Sequence, residues 1–165
     1  MKLKKPKAII FDLDDTFYSY KKAHATALKK VQLKLKNEFG VNEKTFTKYY
    51  ELENNNLKKI LKNTASSHNK FLYFKKILER LKFTPYIRIA IELNNLYWEV
   101  FYNEMTPFPY LREFLIDVKH CDITIGVITN YDASYQFKKI LNLGIEDEVD
   151  YLISSEEVGI NKPNK

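Results

Sequence analysis

Two patterns of hydrophobic and polar residues alternate along this chain. The segment Lys7 to Asp12 (KAIIFD) is a short, continuous apolar run that ends in acidic residues, which is typical of a buried β-strand. From about residue 20 to residue 104 the apolar spacing becomes helical, and only Gly40 and Pro85 interrupt it. Beyond that stretch, strand-like and helix-like runs alternate again.

The middle stretch predicts four amphipathic helices, at about 20–39, 43–62 and 68–82, with the fourth after Thr84-Pro85. For the fourth helix we expect Thr84 as the cap and Pro85 at the first helical position. Such apolar stripes more often pack in a core than bind a ligand, so they predict a helical bundle. Helix by helix, the predicted core positions are Leu28, Val31, Leu35 and Phe39; Phe46, Tyr49, Tyr50, Leu57, Ile60 and Leu61; Phe71, Phe74, Ile77, Leu78 and Leu81; and Leu93, Leu96, Tyr97, Val100 and Phe101.

The last third predicts a helix over 110–120, a buried strand over 123–130 (ITIGVITN), a helix over 133–143 closed by Gly144, and a short strand over 151–155. Helices long enough to cross over between strands indicate parallel pairing. The fold class is therefore α/β, with a parallel sheet built from two separate parts of the chain. We expect a core of residues 1–17 and 106–165, interrupted by a helical insertion over 18–105.

Composition narrows the class of protein. With 165 residues, 45% of them hydrophobic, the chain can bury a real core, and wholesale disorder is excluded. No apolar run approaches the length of a membrane span, and the run Ala8 to Phe11 is too short for an export signal. Cys121 is the only cysteine, so no intrachain disulfide forms and a cytoplasmic location is expected.

The net charge of +6 is unevenly distributed. Residues 18–105 carry 17 Lys/Arg and 8 Asp/Glu, a net of +9, whereas the rest of the chain has a net of −3. One interpretation is solvated lysine faces on the helices. The other is a positive lid that attracts anionic substrates. Nucleic-acid binding is not favoured, because no compact arginine-rich stripe is present.

Polar residues follow each predicted strand, and in open parallel sheets ligands bind outside these carboxyl ends. Singly, each has a simpler interpretation, such as a turn or a surface lysine, but their shared location makes coincidence a poor explanation. In chain order they are Asp12, Asp14 and Asp15, then Thr129 and Asn130, and finally Lys162.

These residue types suit a phosphate ester. A carboxylate can attack phosphorus as a nucleophile, and Mg²⁺ can bridge the two anions. A second carboxyl group two residues later can protonate the leaving oxygen and then activate water. A hydroxyl group and a lysine can hold the phosphoryl oxygens and neutralise their charge.

The motifs FDLDDT, GVITN and EEVGINKP together resemble the haloacid dehalogenase superfamily, in its phosphatase type with a helical (C1-type) cap. The resemblance implies a Rossmann-like core with a four-helix cap, Asp12 as nucleophile and Asp14 as general acid and base. It also implies Mg²⁺ held by the Asp12 carboxylate and the Asp14 backbone carbonyl, with Thr129 and Lys162 binding the phosphoryl group. Members of the family that displace halide do not need an acid at the position of Asp14, so Asp14 favours phosphoryl transfer.

Two further residues are candidates for substrate binding. Asn130 follows the second strand directly after Thr129. Tyr18, with Tyr20, could line the substrate entrance or simply pack in the hinge to the helical insertion. The expected partner is a small phosphorylated metabolite, with nucleotides, sugar phosphates and phospho-acids all open.

The family's fourth motif, an acidic pair after the lysine, has no counterpart in the sequence. Asp147, Glu148 and Asp150 precede Lys162, and we interpret them as a solvated acidic loop. Three explanations are open: a truncated enzyme, completion of the sheet by a second copy or another chain, or a catalytically inactive member. The expectation is therefore phosphomonoester hydrolysis that is impaired in this chain. The alternative is an inactive binding or interaction module with a basic helical cap.

Overall fold

The computed structural model describes residues 4–164, which form two compact units. One unit holds the residues up to Tyr20 and from Met105 onward, and the other is Lys21–Glu104. In chain order the elements are β1 (Ala8–Phe11), α1 (Tyr20–Phe39), α2 (Glu43–Ile60), a 3₁₀ turn (Ala65–His68), α3 (Lys70–Arg80), α4 (Ile87–Glu104), α5 (Leu111–His120), β2 (Thr124–Thr129), α6 (Ala133–Leu143), β3 (Tyr151–Ser154) and α7 (Ser155–Val158).

The first unit is built on a three-stranded parallel sheet in the order β1-β2-β3. Phe11 pairs with Val127, and Val127 pairs with Leu152, so the three strands end near one edge of the sheet. Helix α6 lies in the chain between β2 and β3, as a crossover between parallel strands requires. The α/β fold class with a parallel sheet is confirmed.

The strands are buried on alternate positions only. Ile125 and Val127 are almost fully buried, whereas Ile10 and Tyr151 are 65% and 66% exposed. The prediction of fully buried strands was therefore wrong for one side of the sheet. Successive side chains of a strand point to opposite faces, and the face that carries Ile10 and Tyr151 is open among the described residues.

Local sequence determines the ends of the helices in this unit. Gly144 follows α6 with a φ of 66°, which a glycine adopts without steric cost, so the predicted helix end is confirmed. At the start of α6 the Asp132 side chain accepts a hydrogen bond from the Ser134 backbone N–H. Helix α7, which the sequence did not predict, begins with a capping box between Ser154 and Glu157.

The acidic segment before Lys162 is solvated only in part, since Asp147 is exposed whereas Glu148 is buried. Glu148 is 6% exposed and accepts a hydrogen bond from Arg112 Nε at 3.1 Å. Asp150 accepts from the Ile125 backbone N–H at 2.8 Å, and this bond, with Lys119 beside it, lowers the pKa of the Asp150 carboxyl. Glu148 and Asp150 thus attach the loop to α5 and β2, which corrects the interpretation from sequence for these two acids.

The second unit contains the four predicted helices, with two corrections at their ends. Helix α2 stops at Ile60, which is 74% exposed and so does not belong to the core. Helix α4 begins at Ile87 rather than at Pro85, and its first backbone bond runs from the Ala90 N–H to the Tyr86 carbonyl. The core is rich in aromatic residues; its fully buried members include Phe46, Tyr73, Phe74, Ile77, Leu78, Leu93, Tyr97 and Phe101.

Across residues 4–164, no helix combines the length and the apolar character that crossing a membrane requires.

Candidate active site

Asp12 stands immediately after β1 and forms an ion pair with Lys162. Its Oδ1 atom accepts from the Leu13 backbone N–H at 2.8 Å and lies 2.8 Å from Lys162 Nζ. The same Nζ donates to the Ile128 carbonyl at 2.5 Å, which fixes the lysine against the end of β2. The Asp12 side chain is 51% exposed, so a carboxylate with a positive charge beside it faces solvent.

A tight turn that begins at Leu13, directly after Asp12, contains Asp14 and Asp15. The backbone N–H groups of Thr16 and Phe17 both donate to the Leu13 carbonyl, at 3.2 and 3.0 Å. Asp15 has a φ of 58°, in the left-handed region that aspartate tolerates better than most residues. Leu13 is fully buried and anchors the turn in the core.

Asp14 is held by two donors. Lys139 Nζ lies 2.7 Å from Asp14 Oδ1 and 2.9 Å from Oδ2, and the Tyr18 hydroxyl donates to Oδ1. Lys139 is 1% exposed, and its ammonium group also lies 5.4 Å from the ring centroid of Tyr20. Burial lowers the pKa of Lys139, and the Asp14 charge opposes that change. Burial raises the pKa of the Tyr18 phenol, with the charge of Asp14 adding to it, so Tyr18 remains a donor.

The residues after β2 are held by a glutamine from α6. Gln136 is fully buried, and its Nε2 donates to Thr129 Oγ1 at 2.5 Å and to the Asn130 carbonyl at 2.6 Å. The Asn130 side chain in turn accepts from the Lys162 backbone N–H at 2.7 Å. The structure thus places the Asn130 amide on the Lys162 backbone, whereas the sequence suggested a substrate contact.

The predicted residues therefore form two groups at the carboxyl end of the sheet. Asp12, Lys162 and Asn130 are joined through direct bonds, and Asp14 and Tyr18 form the second group. Of the two interpretations of Tyr18, the structure favours packing over a place at an entrance, because the side chain is fully buried against Asp14. Thr129 is 1% exposed, and its hydroxyl group contacts Gln136.

Sequence reasoning missed Lys139 and Gln136. Both lie on the buried face of α6, together with Ile140 and Leu143. The neighbours of Lys139 at three- and four-residue spacing are Tyr135, Gln136, Asn142 and Leu143, and two of these four are polar. The sequence therefore showed no apolar stripe that could have identified Lys139 as a buried lysine, although lysine is almost never buried without a partner.

The oxygen donors at Asp12 suit a hard divalent cation. Among residues 4–164 no group of three or more His, Cys, Asp or Glu side chains could hold a metal ion. Mg²⁺ does not need such a group, because it keeps several waters and binds through one or two carboxylates and the substrate phosphate. Since Lys139 and Tyr18 occupy the Asp14 carboxylate, the Asp12 carboxylate is the one of the two with oxygen atoms open to such a cation.

This chain belongs to the haloacid dehalogenase-like hydrolases, whose family profile matches residues 9–165. It is 32% identical to the ribulose-1,5-bisphosphate 5-phosphatase of Halopiger xanaduensis, over 94% of this chain and 66% of that protein. It is 30% identical to the glyceraldehyde 3-phosphate phosphatase of Methanothermobacter thermautotrophicus, over 96% of this chain and 66% of that protein. The chain thus spans just under two thirds of the length of these relatives.

The fold also matches solved structures. The magnesium-bound structure of YfnB from Bacillus subtilis, described as a HAD-hydrolase, superimposes with a TM-score of 0.69. The alignment covers 98% of this chain and 70% of YfnB, at 16% identity. At that identity the match supports the α/β architecture alone.

Proposed function

We propose that this chain is a Mg²⁺-dependent phosphatase that hydrolyses a small phosphomonoester through a phosphoaspartate on Asp12. The observation that carries the proposal is the pair formed by Asp12 and Lys162 at the end of the sheet. A half-exposed carboxylate is accessible to a substrate, and a lysine 2.8 Å away can offset the charge of the incoming phosphate. Asp14, two residues later, is held by Lys139 and Tyr18, and we assign the proton transfers to it.

The mechanism requires two displacements at phosphorus. In the first, an Asp12 carboxylate oxygen bonds to phosphorus, the bond to the ester oxygen breaks, and Asp14 gives the leaving oxygen the proton that it took from water in the preceding turnover. In the second, water attacks the phosphoaspartate, Asp14 takes a proton from it, and the bond to Asp12 breaks to release inorganic phosphate. Bound Mg²⁺ would offset the repulsion between the carboxylate and the phosphate oxygens. Lys162 neutralises phosphoryl oxygens in both steps, and Thr129 completes that group of ligands.

The substrate class we propose is small phosphorylated sugars. Two relatives that align along nearly the whole chain are named for ribulose-1,5-bisphosphate and glyceraldehyde 3-phosphate, both short phosphorylated carbohydrates. The net charge of +9 over residues 18–105 favours an anionic substrate as well. We place the enzyme in the cytoplasm, where such metabolites occur and where a protein with a single cysteine needs no disulfide.

The test is hydrolysis of ribulose-1,5-bisphosphate, glyceraldehyde 3-phosphate and p-nitrophenyl phosphate, with and without Mg²⁺. The matched control is Asp12→Asn, which keeps the shape of the nucleophile and removes its charge. We expect Mg²⁺-dependent phosphate release that the substitution abolishes. Saturable binding of these esters without phosphate release would identify a binding module instead and overturn the proposal.

A further inference from the structure

Lys139 is a buried cation that the two displacements do not use. Its side chain is 1% exposed, and Asp14, whose side chain is 30% exposed, is its ion-pair partner. Burying an ammonium group is unfavourable unless strong partners compensate for its lost hydration. A methionine or leucine would fill this position in α6 without that cost, so packing alone does not account for a lysine here.

The contact geometry is directional. The ammonium group lies within hydrogen-bond distance of both carboxylate oxygens of Asp14, at 2.7 and 2.9 Å. The Tyr18 hydroxyl donates to Oδ1 as well, and the rings of Tyr18 and Tyr20 lie 5.9 and 5.4 Å from the ammonium nitrogen. A carboxylate that receives donors from two fixed side chains has little freedom to rotate. Asp12, by contrast, has its own donors in Leu13 and Lys162.

We propose that Lys139 is a positioning residue: with Tyr18 it fixes the orientation of the Asp14 carboxyl group and so sets the efficiency of proton transfer to the leaving oxygen. This inference rests on the proposed phosphatase function. It goes further because it assigns a chemical task to a residue of α6 outside the three sequence motifs.

The inference predicts a dependence on the leaving group. Protonation matters for an alkoxide leaving group and hardly matters for p-nitrophenolate, which is stable as an anion. Misplacing a general acid by about 1 Å can cost about 100-fold in rate. For Lys139→Met we therefore expect kcat on glyceraldehyde 3-phosphate to fall about 10- to 100-fold, with KM little changed and much less loss on p-nitrophenyl phosphate.

The experiment compares Lys139→Met with Lys138→Met, which removes an exposed lysine from the adjacent position of the same helix. Both substitutions are also made in an Asp14→Asn background. Lys139→Met should have no further effect there, since the group that it positions has lost its acid. Equal losses on the two esters, or a further loss in the Asp14→Asn background, would mean that Lys139 only supports the fold and would overturn the inference.

Crystal structures of the unsubstituted chain and of Lys139→Met provide a readout that does not depend on turnover. The inference predicts a rotated or multiply oriented Asp14 carboxylate in the variant, and an unchanged carboxylate overturns it even if no ester is hydrolysed. Failure of the unsubstituted chain to hydrolyse any ester, with Asp14 rotated in the variant, overturns the proposed function and leaves the positioning role supported. If Lys139→Met does not fold, Tyr18→Phe removes the other donor and is subject to the same criteria.

Discussion

The carboxylate of Asp12 and the ammonium group of Lys162 meet at 2.8 Å, although the two residues come from opposite ends of the chain. Two neighbours hold the lysine in place: the Ile128 carbonyl accepts from its side chain, and Asn130 accepts from its backbone N–H. The negative charge of Asp12 thus meets a fixed positive charge at the carboxyl end of the sheet.

Replacing Lys162 by methionine should reduce catalysis far more than stability. We expect kcat to fall about 100-fold or more, because a fixed charge that stabilises the transition state is lost. The free energy of unfolding should change by less than about 1 kcal/mol, since the pair is partly exposed to solvent. Steady-state kinetics and urea denaturation measure the two quantities, with Lys138→Met as the control. A large loss of stability with unchanged kcat would show that the pair is structural.

Asn130→Ala tests whether the loop that carries Lys162 needs its anchor. The substitution removes the acceptor for the Lys162 N–H and should cost about 1–2 kcal/mol of stability. It should also lower kcat, because Lys162 loses its fixed position opposite Asp12. If the variant has unchanged stability and kcat but a raised KM, the result would contradict the anchoring role and support the substrate-binding role that the sequence suggested for Asn130.

Gln136→Leu tests the support of Thr129. Gln136 Nε2 donates to both Thr129 Oγ1 and the Asn130 carbonyl, so its loss leaves one buried and one partly buried acceptor without that donor. We expect destabilisation of about 1–3 kcal/mol, measured by urea denaturation, and a weaker affinity for inorganic phosphate as a competitive inhibitor. Unchanged inhibition by phosphate would show that Thr129 does not contribute to binding the phosphoryl group.

His24 should make the helical unit sensitive to mild acid. Its Nδ1 lies 2.7 Å from the Tyr97 hydroxyl, and burial, with Lys70 nearby, lowers its pKa from 6.5 to about 4. Because the folded state resists protonation while the unfolded state accepts it, stability falls as the pH drops from 6.5 toward 4, by at most about 3 kcal/mol.

The matched variant for this effect is His24→Gln, which cannot be protonated in this range. Its free energy of unfolding should vary less between pH 7 and about pH 5 than that of the unsubstituted chain, by urea denaturation at both values. The rings of Tyr50 and Tyr97 lie 6.1 and 5.8 Å from the imidazole ring, between centroids, and the neighbouring charge that lowers the pKa of His24 is that of Lys70. Identical pH dependence in the two proteins would assign the effect to another group.

Much of the fold could be predicted from local patterns. Gly144 identified the end of α6, and the run ITIGVITN identified β2, because each depends on a few adjacent residues. The exposure of Ile10 could not be predicted, since it depends on what covers the sheet face rather than on the strand itself. Helix α4 starts later than predicted. The Tyr86 carbonyl accepts the first backbone hydrogen bond of the helix, whereas the sequence predicted Thr84 as the cap, and the loop before the helix determines this start.

The motif residues of the candidate site could be predicted from the sequence, but the residues that hold them in place could not. Asp12 and Lys162 follow from their positions after strands, and the structure pairs them. The attachment of Asp14 to Lys139 joins residues far apart in sequence, and only tertiary packing shows it. The neighbours of Lys139 on its helix face include the polar residues Gln136 and Asn142, so no sequence pattern identified it.

The measurement that tests the central claim most directly is the mass of the peptide that contains Asp12 after acid quenching of a reaction with p-nitrophenyl phosphate and Mg²⁺. In Asp14→Asn the first displacement needs no acid for this substrate, whereas the second lacks its base, so the phosphorylated protein should accumulate. The account predicts one added phosphoryl group on Asp12 in that variant and none in Asp12→Asn. A phosphoryl group on another residue, or phosphate release that continues in Asp12→Asn, would contradict it.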